Sequence, residues 1–109
     1  MRKITSNAIN AFMNNDNFSE SNTRVEVIAD GSNQKTELYL HGNLIAYKIN
    51  GNHYISSAGW STSTTRERLN GLLTKLACGR TFIKDSTMWY EDSVGVINLL
   101  DSPYFTQVR

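Results

Sequence analysis

Two turn signals in the middle of the chain, Gly42-Asn43 and Asn50-Gly51, constrain its fold more than any other feature. Each pair suits a two-residue hairpin loop, which needs residues that tolerate positive φ angles. The stretch 23–29 before them alternates in polarity and is rich in β-branched side chains, as strands are. The sequence therefore predicts an antiparallel meander of about four strands over residues 23–57.

Two-residue loops at both turns also fix which side chains share a face of the meander. One face, the better candidate for the core, then carries Leu38, Leu40, Ile45, Tyr47, Ile49 and Tyr54. The other face is expected to be half-solvated, with a cross-strand charge ladder, and carries Tyr39, Ala46, Ile55, Glu37, Lys48 and His53. In this register Tyr47 lies opposite Tyr54.

Two helices are predicted around the meander. Residues 1–18 comprise a short N-terminal helix and the start of a linker, with Thr5 or Ser6 as the cap and Ile9, Phe12 and Met13 as the buried stripe. The second helix covers residues 64–78, because Thr64 and Glu67 fit a capping box and an apolar stripe follows. That stripe consists of Leu69, Leu72, Leu73, Leu76 and Ala77, and Gly79 is placed to end the helix in a left-handed conformation.

The rest of the chain completes a single α+β domain. Residues 80–100 are expected to form a hairpin and a terminal strand, and Pro103 to end regular structure. A length of 109 residues with 39% hydrophobic residues fits one packed core. We therefore expect an antiparallel meander with one amphipathic helix packed on it, a following hairpin and a short N-terminal helix.

Charge and cysteine content limit the possible partners. Eleven basic and ten acidic residues give a net charge of +1, which argues against a DNA-mimicking acidic protein and against a broadly basic nucleic-acid coat. No apolar run is long enough for a membrane-spanning helix, and the N-terminus lacks the apolar stretch of a signal peptide. The single cysteine, Cys78, fits a reducing compartment, so we expect the cytoplasm of the host cell.

One segment, residues 58–68, combines features that suit a binding site. Five consecutive hydroxyl residues run into the start of the second helix, and two arginines lie in its first turn although cations there oppose the helix dipole. Backbone N–H groups, hydroxyls and guanidinium groups suit a phosphate, and an indole ring stacks on a base. The candidate residues are Trp60, Ser61, Thr62, Ser63, Thr64, Thr65, Arg66 and Arg68, assisted from the sheet by Tyr39 or Tyr54.

Plainer interpretations fit the same residues. Runs of Ser and Thr are ordinary capping and loop material, Glu67 offsets one of the arginines, and Trp60 can belong to the core. Aromatic residues on a small sheet more often pack than stack on bases. Arg66 and Arg68 equally suit carboxylates on a partner protein.

No catalytic constellation, cofactor motif or metal site is evident in the sequence. His41 and His53 lie too far apart in the predicted register to share a metal, and there is only one cysteine. His53 beside Lys48 and Glu37 can act as an acid or base, although a solvated ladder is the simpler interpretation. We therefore expect a protein without enzymatic activity, cofactor or metal.

Two runs of residues, one of which contains the segment 58–68, resemble stretches of a known group of proteins. They are Leu40-His41-Gly42-Asn43-Leu44-Ile45-Ala46 and the run at residues 55–70, in which Ala-Gly-Trp and a Ser/Thr stretch precede Thr-Thr-Arg-Glu-Arg-Leu-Asn. Both are similar to stretches in a widespread group of small proteins encoded mainly by bacteriophages and plasmids. The similar stretch covers residues 36–76. The N-terminal helix and the tail after Val94 lie outside it and are expected to be specific to this chain. The resemblance implies a phage-type origin and a fold unit, and it implies no activity.

Two functions follow as hypotheses. In the first, the chain is a small phage-type accessory protein that binds nucleic acid, preferably single-stranded, or a nucleotide phosphate. In the second, it contacts a host protein and inhibits or modulates a host enzyme or defence complex. Unpaired sheet edges also allow a homodimer. Salt-sensitive binding of polynucleotides favours the first hypothesis, and a nuclease-resistant complex with a host protein favours the second.

Overall fold

Two helices and two antiparallel sheets make up the part of the chain that the computed structural model describes, residues 2–31, 33–99 and 105–108. The helices are α1 (Lys3–Met13) and α2 (Ser63–Leu76). The larger sheet contains β1 (Phe18–Glu20), β2 (Thr23–Asp30), β3 (Asn33–Leu40), β4 (Asn43–Ile49) and β5 (Asn52–Ile55). The smaller sheet contains β6 (Arg80–Lys84), β7 (Thr87–Glu91) and β8 (Val96–Asn98), and β9 (Thr106–Gln107) pairs with β5 at the edge of the larger sheet.

This architecture confirms the predicted α+β class, with an N-terminal helix, a meander, a second helix and a following hairpin. The larger sheet has six strands in the order β1-β2-β3-β4-β5-β9, so it extends the predicted meander by one strand at each edge. The linker expected after the N-terminal helix contains strand β1. Leu100 and Pro103, which the prediction placed at the end of regular structure, lie outside the described residues.

The first hairpin of the meander uses a different loop from the predicted one. Leu40 pairs with Asn43, so the loop is His41-Gly42, and both residues have positive φ angles (52° and 79°). Further along, the pairing of β3 with β4 shifts by one residue, which leaves Ile45 as the extra residue of a β-bulge. The second hairpin follows the prediction, with an Asn50-Gly51 loop.

The bulge reverses the predicted faces of β4 and β5, because side chains alternate along a strand and one extra residue exchanges the two sides. Tyr47, Ile49 and Tyr54 therefore share the outer face with Tyr39 and Glu37. Ala46, Lys48, His53 and Ile55 share the inner face with Leu38. The pairing of Tyr47 with Tyr54 is confirmed, but the ladder from Glu37 to Lys48 and His53 is wrong, since Glu37 lies on the opposite face.

The core lies between the inner face of the larger sheet, the two helices and the smaller sheet. Val25, Leu38, Ala46 and Ile55 of the sheet are at most 1% exposed. The same buried cluster includes residues of the helices and of the smaller sheet, and Leu99 just after β8: Ala8, Ile9, Phe12, Leu69, Leu72, Leu73, Met88, Tyr90 and Leu99. At roughly 25 cal/mol per Å² of apolar surface, this burial is the main stabilising term of the fold.

Helix α2 begins and ends at positions other than those predicted. Its N-cap is Thr62, whose hydroxyl accepts a hydrogen bond from the backbone N–H of Thr65, so the capping box of Thr64 and Glu67 is wrong. At the other end Ala77, predicted to be buried, is the exposed C-cap and adopts the left-handed conformation with φ of 54°. Gly79 also has a positive φ, and a Cβ there would overlap the backbone carbonyl of Glu91.

Candidate functional site

A cleft of about 420 Å³ opens between the His41-Gly42 turn and the start of α2. We call it the Trp60 cleft, because this indole forms one wall and is 59% exposed. Buried Leu40 and Ile45 provide an apolar floor. The remaining lining is polar and comes from His41, Asn43, Ser57, Thr62, Thr64 and Thr65. An apolar cleft with a few polar groups at its rim is the usual form of a small-ligand site.

A tight turn between β5 and α2 places Trp60 at the surface. Its backbone N–H donates to the carbonyl of Ser57, and the intervening Ala58 and Gly59 both have positive φ angles. The buried Ser57 hydroxyl accepts from the N–H of Gly59 and donates to the carbonyl of Leu99. The indole is thus exposed on a turn that is hydrogen-bonded to the core. This placement favours a role for Trp60 in contacting a ligand over a role in packing the core.

The start of α2 provides hydrogen-bond donors beside the cleft, where Thr64 lines the cleft and Ser63 lies in the neighbouring surface groove. The N–H groups of Ser63 and Thr64, the first two helical residues, have no acceptor within the helix and lie at the positive end of its dipole. The next N–H, that of Thr65, is used by the Thr62 hydroxyl at 3.2 Å. Ser61 serves the fold, because its hydroxyl accepts from the N–H of Met88. Of the predicted hydroxyl run, Thr62, Thr64 and Thr65 line the cleft.

Arg66 lies on the other side of the helix start. It is exposed and lines a surface groove that also contains Arg2 and Glu67, and Thr64 borders both this groove and the Trp60 cleft. Arg2, Arg24, Arg68 and Arg80 each form an ion pair with a glutamate, whereas Arg66 forms none among the described residues. Its charge is therefore available to an anion.

Arg68 is buried, although the sequence analysis placed it at the surface as a candidate binding residue. Its side chain is 1% exposed and lies between α1, α2 and β2. The guanidinium donates to the hydroxyls of Thr5 (2.6 Å) and Thr23 (3.1 Å), to the Glu67 carboxylate (2.7 Å) and to the Asn22 side-chain oxygen (3.4 Å). Burial lowers the pKa of Arg68, yet an arginine stays charged in proteins, so this network holds a buried cation. Arg68 stabilises the fold and is not available to a ligand.

Glu67 is the anionic partner in that network. Partial burial raises the pKa of its carboxyl, but the hydrogen bond from Thr5 and the interactions with Arg2 and Arg68 outweigh burial and leave the pKa below its ordinary value of 4.5. A lowered pKa in the folded state means that ionised Glu67 stabilises the fold. This contribution is complete above the ordinary value and is lost as the pH falls through the lowered pKa.

We therefore expect the melting temperature of the wild type to fall as the pH drops below about 4.5, with part of the fall due to Glu67. The Glu67→Gln variant should be less stable than the wild type at pH 7 and lose less stability between pH 7 and 3. Thermal unfolding at both pH values measures this difference. Glu91→Gln, which removes an exposed partner of Arg80, is the matched control and should behave like the wild type. Equal acid losses for Glu67→Gln and the wild type would contradict the assignment.

Tyr39 and Tyr54 lie on the outer face of the larger sheet, opposite the face from which Leu40 lines the Trp60 cleft. Their rings are already engaged. Tyr54 stacks on Tyr47 with ring centroids 4.7 Å apart, and the Arg24 guanidinium lies 4.3 Å from the centre of the Tyr39 ring. The structure therefore does not bring these tyrosines together with Trp60.

Lys48 and His53 form a cross-strand pair beneath α1. The Lys48 ammonium donates to the carbonyl of Met13 at 3.0 Å, where it caps the end of the helix. Burial lowers the pKa of both side chains, and the Lys48 charge lowers that of His53 further. Within the described part of the chain, no three His, Cys, Asp or Glu side chains are placed to hold a metal ion. The absence of enzymatic activity stays a prediction.

Comparison with known proteins adds the origin of the chain. The sequence model of the family described as Kyanoviridae Gp96 protein matches residues 1–107. The chain belongs to this family. It is therefore a small phage-encoded protein. The family match also includes the N-terminal helix and most of the tail, which were expected to be specific to this chain. No curated protein and no solved structure matches the chain. Neither described helix is long and apolar enough to cross a membrane.

Proposed function

We propose that this family member is a small phage accessory protein that binds a nucleotide or single-stranded nucleic acid in the Trp60 cleft. The base stacks on Trp60 above the floor of Leu40 and Ile45, and a phosphate lies at the start of α2 within reach of Arg66. In this proposal the protein is a binding module without catalytic activity, and it acts in the host cytoplasm. The observation that carries the proposal is an exposed indole at the wall of a cleft beside the first N–H groups of α2.

The chemistry of the cleft supports a base as the buried part of the ligand. A base is flat and apolar on its faces and polar at its edge, which matches an apolar floor with hydroxyl and amide groups at the rim. Stacking of a base on an aromatic side chain contributes about 1–3 kcal/mol. Placing a phosphate against the N–H groups of Ser63 and Thr64 adds charge-assisted hydrogen bonds in the field of the helix dipole.

The charge of Arg66 at the start of α2 supports an anionic ligand. Arg66 has no carboxylate partner among the described residues and flanks the helix start on the side opposite the cleft. The proposed site is narrower than the candidate set from the sequence: it keeps Trp60, Thr62, Thr64 and Arg66, with Thr65 and Ser63 beside them. Arg68 and Ser61 support the fold, and Tyr39 and Tyr54 lie elsewhere.

The test is binding of labelled single-stranded DNA, RNA and duplex at about 50 and 200 mM salt. We expect single strands to bind best, with affinity that falls steeply as salt rises. Arg66→Gln should weaken binding about 3- to 10-fold and reduce the slope of log affinity against log salt by about 1, because one phosphate contact is lost. The fold should be unaffected, since Arg66 is exposed.

Arg80→Gln is the matched control for this experiment. Arg80 is an exposed arginine on the smaller sheet, paired with Glu91, so its loss changes the net charge by the same amount. Its variant should bind like the wild type. The absence of binding at about 50 mM salt would contradict the proposal and turn attention to a host protein as the partner of the Trp60 surface.

A further inference from the structure

The Trp60 cleft is flanked by two further depressions, and each shares a wall with it. Thr64 separates the cleft from the Arg66 groove described above. On the other side, His41 separates the cleft from a polar depression of about 560 Å³ at the start of β2, next to the His41-Gly42 turn. We call this second depression the Arg24 depression, after the only cation among its described lining residues.

We propose that these three surfaces form one track for a single-stranded nucleic acid several nucleotides long. In this track one base occupies the Trp60 cleft, one flanking phosphate contacts Arg66, and the other flanking phosphate and its sugar lie in the Arg24 depression. The inference rests on the proposed function and extends it, because it assigns a polymeric ligand rather than a mononucleotide.

The lining of the Arg24 depression suits a sugar and a phosphate rather than a base. Its described residues carry hydroxyl, amide, imidazole and guanidinium groups, and none of them is acidic: Ser19, Ser21, Asn22, Thr23, Arg24, His41 and Gly42. These groups include the donors that phosphate and ribose oxygens accept from in protein–nucleic acid contacts. The depression has no apolar floor comparable to that of the cleft.

The Arg24 side chain is held in place while its charge stays accessible. Its guanidinium lies 4.3 Å from the centre of the Tyr39 ring and 3.0 Å from the Glu26 carboxylate, and 44% of the side chain is exposed. An arginine ordered by stacking loses less conformational entropy when it binds a phosphate. Because Glu26 neutralises part of its charge, the contact of Arg24 should be weaker than that of Arg66.

The shape of the track favours an unpaired strand. The three surfaces follow one another around the start of a helix and the tip of a hairpin, and the middle one is a cleft with Trp60 at one wall and an apolar floor. A base in a duplex is stacked and paired, so it cannot enter such a cleft without leaving the helix. A single strand can turn its bases outward at little cost in free energy. It can therefore place a base in the Trp60 cleft and the neighbouring sugar and phosphate in the Arg24 depression.

The test compares oligothymidylates of one, two, four and six nucleotides in competition with a labelled tetramer at about 50 mM salt. We expect affinity to rise from the mononucleotide to the tetramer and to change little beyond it. Arg24→Gln should weaken binding of the tetramer about 3- to 10-fold and leave binding of the mononucleotide unchanged. Arg66→Gln should weaken both.

Arg80→Gln is again the control, and here the match is close. Arg80 pairs with Glu91 and lies 4.9 Å from the centre of the Phe82 ring, as Arg24 pairs with Glu26 and stacks on Tyr39. Equal affinities for mononucleotide and tetramer, or an Arg24→Gln variant that binds the tetramer like the wild type, would overturn the track and leave the cleft as a nucleotide site. Failure of every thymidylate to bind would overturn the track and the proposed function together.

Discussion

Arg68→Ala is expected to lower the free energy of unfolding by about 3–5 kcal/mol, the largest effect of any single substitution that we propose. The substitution removes a buried side chain that bonds to Thr5, Thr23 and Glu67 and leaves a cavity between α1, α2 and β2. The buried hydroxyl oxygens of Thr5 and Thr23 then lack this donor, and an unsatisfied buried polar group costs about 1–3 kcal/mol. Urea denaturation of the two proteins at pH 7 measures the difference.

Arg66→Ala, two residues earlier on the same helix, is the matched control for Arg68→Ala. Both variants lose one arginine from α2, but Arg66 is exposed and makes no described ion pair. Its removal should change stability by less than about 0.5 kcal/mol. If Arg68→Ala unfolds at the same urea concentration as Arg66→Ala, the buried network does not stabilise the fold. A variant that lacks both Arg66 and Arg68 would therefore not test binding, because its loss of affinity could result from loss of folding.

Trp60→Ala is expected to weaken binding of single-stranded nucleic acid about 5- to 150-fold, the equivalent of 1–3 kcal/mol of stacking. Its stability should match that of the wild type, because the indole is 59% exposed and its loss leaves no cavity in the core. Trp60→Phe should recover part of the affinity, since a phenyl ring still stacks. Fluorescence anisotropy with a labelled oligonucleotide measures all three proteins.

The outcome for Trp60→Ala separates stacking from general charge attraction. If binding were due only to charge, Trp60→Ala would bind like the wild type while the arginine variants lost affinity. Trp89→Phe serves as the control for loss of an indole elsewhere, because Trp89 lies in the smaller sheet and does not line the Trp60 cleft. An affinity of Trp60→Ala within twofold of the wild type would show that no base stacks on this residue.

The meander was predictable because its signals are local. Asn50-Gly51 forms the expected turn, and the strands before and after it pair in the expected register. The inner and outer faces of β4 and β5 were not predictable, because they depend on the bulge at Ile45. A one-residue shift places Tyr47 and Tyr54 outside and Lys48 and His53 beneath α1. Nothing in the alternation of the residues themselves reveals that shift.

Arg68 was assigned to the surface because its side chain is charged, although its position on α2 is that of a buried residue. The buried face of α2 starts at Thr65 and continues through Arg68, Leu69, Leu72 and Leu73, with helical spacing throughout. A pattern based on apolar residues begins this face at Leu69 and assigns Arg68 to the surface. The spacing from Thr65 is the signal that identifies Arg68 as buried. Its partners on α1 and β2 depend on tertiary structure.

Only half of the candidate site could be predicted. The segment around Trp60 and the threonines stands out by composition, and it does form one side of the cleft. The other side comes from Leu40, His41 and Asn43 at the first hairpin, some twenty residues earlier in the chain. Their contribution follows from the packing of α2 against the sheet, which no local pattern encodes.

The most direct test of the Trp60 cleft is a titration of the ¹⁵N-labelled protein with a thymidine tetranucleotide, followed by amide and indole chemical shifts. Binding in this cleft should produce the largest changes at the indole N–H of Trp60 and at the backbone N–H groups of Ser63 and Thr64. Changes confined to Tyr47 and Tyr54 on the outer sheet face, or no changes at millimolar ligand, would contradict it.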